Sequence, residues 1–115
     1  MERDERFDEL VAEALDGLPE WVRMRLSNVA VLVEETAPRG RRGLLGLYEG
    51  IAQTDRGGWY SGALPDRITL FRDTIEREAR GDPDRLRRVV AHTVAHEIAH
   101  HFGISDDRLR ELGVY

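Results

Sequence analysis

His96, Glu97, His100, Gly103 and Asp106 are spaced as H-E-x-x-H-x-x-G-x-x-D within the stretch VVAHTVAHEIAHHFGISD. On a helix, residues four apart share a face and lie one turn from each other. His96 and His100 can therefore direct two imidazoles at one metal ion. Glu97, from the neighbouring angular position, can reach a water bound to that ion and act as its general base. Gly103 tolerates left-handed backbone angles and lets the chain turn sharply after the helix. Asp106 would then swing back as a third ligand. Three protein ligands and one water make the open arrangement that hydrolytic zinc requires. For His96 and His100 the competing reading is a pair of core histidines hydrogen-bonded within a buried helix. For Asp106 it is an acid that simply favours the start of a following helix. Val94, Ala95, Ile98, Ala99 and Phe102 surround Glu97 with apolar neighbours, and a buried carboxylate without a partner is costly. His92 and His101 read as groups behind the ligands or as surface residues. Tyr60, Tyr115 and several arginines are candidates to stabilise an oxyanion, and nothing in the sequence ranks them.

The elements that must position these residues are legible from apolar spacing. Phe7, Leu10, Val11, Ala14, Leu15 and Leu18 follow a helical period. Gly17 stops that helix, and Pro19 suits the first turn of a second, short one through about Leu26. VAVLV at 29–33 is a β-branched apolar run that predicts a strand covered on both faces. TAPRGRRG follows as a turn-rich loop whose arginines read as solvated. LLGLYEG at 44–50 predicts a second strand. Residues 53–66 read as a loop or a wide hairpin connection, with Gly57 and Gly58 as turn residues. RITLFR at 67–72 predicts a third strand with Ile68 and Leu70 on one face. Asp73 and Glu76 have capping-box spacing for a helix to about Ala79. Gly81, Asp82 and Pro83 then mark a stop and restart. The helix over about 83–102 carries the His/Glu pattern, and Ser105 can cap a last one through about Leu112. Strands grouped together with helices packed on them predict an α+β domain, taken as one unit over 1–115.

Composition narrows the chemistry further. The chain has 115 residues and no cysteine, so disulfides, thiolate catalysis and sulfur-built zinc sites are excluded. All 17 basic residues are arginine, which excludes lysine chemistry as well. A net charge of -5 argues against a nucleic-acid partner, which ordinarily leaves a basic footprint. MERDERFDEL is too charged for a signal peptide, and no run reaches the length of a membrane span; the expectation is a cytoplasmic protein.

On these residues the chain resembles the minimal zincin-like metallopeptidases, small bacterial proteins with the H-E-x-x-H-x-x-G-x-x-D signature. LPEWVRMRLSNVAVLVEE, LLGLYEG, PDRITLFR and AHEIAHHFGISDDRLRELG all look like segments of that family and cover most of positions 15–113. The resemblance implies a compact α+β zincin core, a zinc ion held by His96, His100 and Asp106, and Glu97 as catalytic base acting on a peptide or protein substrate. The chain departs from the larger metzincins: Asp106 stands where they have a third His, and Met1 and Met24 both precede the motif, so the Met-turn is absent. Only nine residues follow Asp106, so substrate contacts are expected from upstream, with the strand at 67–72 near Thr69 pairing with an extended peptide. Two other classes compete with a peptidase. One is a non-catalytic metal-binding or regulatory domain derived from a zincin. The other is a metal-dependent endoribonuclease, which Glu97, Asp106 and the acidic balance disfavour.

Overall fold

A computed structural model of the chain describes residues 3–26, 28–50 and 66–111. Two helices come first, α1 (Arg3–Asp16) and α2 (Glu20–Arg23). Three strands follow, β1 (Val29–Glu34), β2 (Gly46–Glu49) and β3 (Asp66–Phe71), then α3 (Arg72–Ala79), α4 (Pro83–His101) and α5 (Asp106–Glu111). This is the α+β arrangement expected from the pattern of elements.

The sheet order is β1-β3-β2. β3 lies in the middle, parallel to β1 and antiparallel to β2. Its burial explains why: Ile68 and Leu70 are fully buried, and Thr69 and Phe71 on the other face are nearly so. Two expectations fail here. β1 is an outer strand of the described sheet, with Leu32 41% exposed, so it is not covered on both faces. Its continuous apolar run reflects β-branched packing on a half-open strand. β3 offers no edge near Thr69, because that residue faces Leu32 on one side and Leu47 on the other. An extended peptide cannot pair there.

The core joins α1, α2, β3, α3 and α4, with α2 contributing Val22. Phe7, Leu10, Ile68, Leu70, Ile75, Val90, Val94 and Ile98 form one apolar cluster. α1 enters it through the 3.6-residue spacing of Phe7, Leu10 and Val11. Its end is marked by Gly17, whose N–H reaches the Glu13 carbonyl at 3.0 Å.

α3 begins two residues earlier than a cap at Asp73 would give, at Arg72, and no side chain caps it. The expected capping box does not form, because Asp73 sits inside the first turn and accepts from Thr36 Oγ1 at 3.2 Å. Arg72, almost buried, pairs with Glu35. The stop and restart at 80–83 does form. Arg80 and Gly81 are both left-handed (φ 54 and 78), and Asp82 Oδ1 accepts from the amides of Asp84 and Arg85 at 3.0 and 3.4 Å. Pro83 takes the first helical position, where its missing N–H costs nothing. α4 is thereby started at a defined residue, which sets the phase of every side chain along it.

Candidate metal centre

α4 presents three stripes, each a series of residues four apart. Val90, Val94 and Ile98 belong to the apolar cluster. Thr93, Glu97 and His101 form a second, buried, polar stripe. His92, His96 and His100 form the third, about 100° round the helix from the second. His92 is exposed, and His96 and His100 are half-buried.

β2 crosses the polar stripe. A Cβ on Gly46 would stand 2.9 Å from Thr93 Cγ2, 3.1 Å from Glu97 Cγ and 3.2 Å from the Thr69 carbonyl oxygen. Only glycine allows the strand to lie this close to the helix. The approach buries Glu97 to 6% exposure. Thr93 is satisfied locally, its hydroxyl donating to the Val89 carbonyl at 2.7 Å.

His92 and His96 of the histidine stripe line a cleft of about 350 Å³, walled opposite by Gly43, Leu45 and Gly46. Glu97 reaches its floor. One donor atom each from His96, Glu97 and His100 lie within 4.8 Å of one another. His100 Nδ1 is 3.5 Å from Glu97 Oε1, and the His96 and His100 rings are 4.7 Å apart between centroids. The His92 ring follows at 6.2 Å from His96. Two imidazoles and a carboxylate in this space are a donor set suited to zinc, which accepts nitrogen and oxygen ligands without a strong geometric demand of its own.

The turn after α4 takes the form that Gly103 foretold. Phe102 ends the helix, Gly103 is left-handed (φ 81), and its N–H reaches the His100 carbonyl at 2.9 Å. The Ile104 N–H reaches back to the Ala99 carbonyl, also at 2.9 Å. These two bonds define a Schellman turn. Ser105 Oγ accepts from the Arg108 amide at 3.2 Å and caps α5, as expected. Asp106 opens α5, one short turn beyond the end of α4. Its side chain lies outside the described residues, as do Gly57, Gly58, Tyr60 and Tyr115.

His101 is not the surface residue that its sequence position also allowed. It is 2% exposed, and its Nδ1 donates to Asp66 Oδ2 at 2.7 Å. Tyr48 Oη donates to the same oxygen at 2.7 Å. Neither Asp66 nor Tyr48 stands out in the sequence, since an Asp before a strand ordinarily reads as a turn residue. Gly46 did leave a trace: a lone glycine in a strand pattern marks a bulge or a close backbone approach.

A helix with an H-E-x-x-H face laid beside a small mixed sheet defines a zincin-type metallopeptidase fold. The zincin-like metallopeptidase family matches residues 26–114, and the chain belongs to that family. Comparison with curated proteins finds no match.

Proposed function

We infer that the protein is a zinc-dependent peptidase in which His96, His100 and Asp106 hold the metal and Glu97 is the general base. The observation that carries this reading is the meeting of His96, Glu97 and His100 donor atoms within 4.8 Å, beside a cleft that His96 and Glu97 line. A zinc ion held there would acidify a water molecule and polarise a carbonyl oxygen. Glu97 takes a proton from the attacking water on its carboxylate and passes it to the departing amine nitrogen. Burial beside Gly46 removes competing solvent from that carboxylate and holds it against the second turn of the site. The substrate chain lies in the cleft between residues 43–46 and the histidine stripe, and not on β3, whose two sides are both occupied.

Two measurements test the reading. Elemental mass spectrometry of protein purified without chelators should find close to one zinc per chain, lost in His100→Ala. A diverse peptide library should be cleaved by the wild type, and Glu97→Gln should retain zinc while losing roughly 10²–10⁴-fold in rate. Zinc binding with no peptide cleaved by the wild type would instead support a metal-binding domain without catalysis.

A further inference from the structure

Asp66 is a carboxylate with 1% exposure at the first position of β3, outside the metal-binding pattern. Its Oδ2 joins two elements, accepting from Tyr48 of β2 and from His101 of α4, each at 2.7 Å. Its backbone N–H holds a third contact, donating to the Asn28 carbonyl just before β1 at 3.1 Å. Gly50 closes round the other side of the carboxylate, where a Cβ would come within 2.4 Å of Oδ1. The Tyr48 ring stands edge-on to the His101 ring at 5.9 Å.

Burying a carboxylate and an imidazole is expensive, and apolar side chains could seal the same space at less cost. What a polar joint adds is direction. Apolar contacts such as those of Val90, Val94 and Ile98 tolerate small rotations, whereas hydrogen bonds weaken steeply as they bend. His101 follows His100 in the chain and lies one turn beyond Glu97 on the same stripe. A rotation of α4 by ~10° would carry a side-chain tip at a radius of ~6 Å through about 1 Å. Displacement on that scale is enough to cost about 10²-fold in a reaction that depends on alignment.

We propose that Asp66, Tyr48 and His101 form a positioning joint that fixes the rotation of the last two turns of α4 and so aims Glu97 and His100. Its catalytic consequence rests on the peptidase reading above; its effect on the helix does not. Asp66 and Tyr48 act through His101 and are positioning residues.

The test uses the full chain as Asp66→Asn and Tyr48→Phe, in two arms. In metal-free protein, amide hydrogen exchange is followed along α4. Exchange at 98–102 should quicken roughly tenfold or more while 87–91 is unchanged, because the joint constrains one end of the helix. Equal acceleration throughout α4, or none, overturns the proposal. In the second arm, zinc is titrated in competition with a chromophoric chelator, and cobalt is bound as a spectroscopic probe. Both variants should bind zinc about tenfold more weakly, within the range seen when groups supporting a metal site are removed. The cobalt absorption bands should shift as well. Unchanged affinity and an unchanged spectrum also overturn the proposal. Should the wild type bind no zinc, the peptidase reading fails, and the exchange arm alone decides the joint. Tyr48→Phe keeps the ring and loses a single oxygen, so it carries both arms if Asp66→Asn does not fold.

Discussion

Gly46 carries no chemistry, yet the position of Glu97 depends on it. The strand touches the helix at this point, and a methyl group would meet Thr93, Glu97 and the Thr69 backbone at 2.9–3.2 Å. Thr93 and Glu97 can yield only by moving the stripe that floors the cleft. Gly46→Ala should therefore destabilise the fold by about 1–3 kcal/mol, the usual cost of overpacking, and should weaken zinc binding alongside. Urea unfolding and a zinc titration on the same variant would test both; an Ala variant as stable as the wild type would mean that β2 can shift freely. The histidines read differently from one another at this scale. His92, His96, His100 and His101 are close in sequence, but the first three share one stripe of α4 and His101 turns inward to Asp66.

At the scale of the element, α4 is a device for setting phase. Its start is defined by Asp82 and Pro83, and its end by the Schellman turn at Gly103. Between them, one stripe packs into the core, one buries Glu97 and one carries His92, His96 and His100. Asp82→Ala removes the acceptor for two orphan amides of the first turn. It should cost about 1 kcal/mol in thermal or urea unfolding. The His96–His100 segment lies about four to five turns away, so zinc affinity should be unchanged; a parallel fall in affinity would mean that fraying at the start of α4 reaches those turns. The short α3 shows the opposite case. Without a side-chain cap, it is held by tertiary contacts, among them Thr74 Oγ1 donating to the Arg42 carbonyl at 3.0 Å.

For the whole molecule, a bound metal ion would act on stability. The apolar cluster joins α1, α2, β3, α3 and α4. A metal held by α4 and by Asp106 would tie α5 to that body. Zinc at about a hundred times its Kd should add roughly 2.7 kcal/mol to stability, a rise in Tm of order 10 °C for a domain of this size. Chelation should reverse it, and His100→Ala should show no zinc-dependent rise. Calorimetry with and without zinc gives the answer directly. No helix among the described residues is long and apolar enough to cross a membrane.

Much of this was determined locally and could be read from the chain alone. The pairing of His96 with His100, the left-handed turn at Gly103, the stop and restart at 80–83 and the face shared by Ile68 and Leu70 all follow from helix period, strand period or the backbone freedom of single residues. Those rules act over a few residues, so the sequence contains them. Relations between distant segments were settled only by how the folded elements pack. The order β1-β3-β2 put β3 in the middle and removed the peptide-pairing edge expected near Thr69. Thr36 drew Asp73 away from its expected role as a cap. Asp66 met His101 across 35 residues, and Tyr48 across 18. No local pattern marks such partners, because a hydrogen bond between buried side chains depends on where the sheet and the helix come to rest against each other.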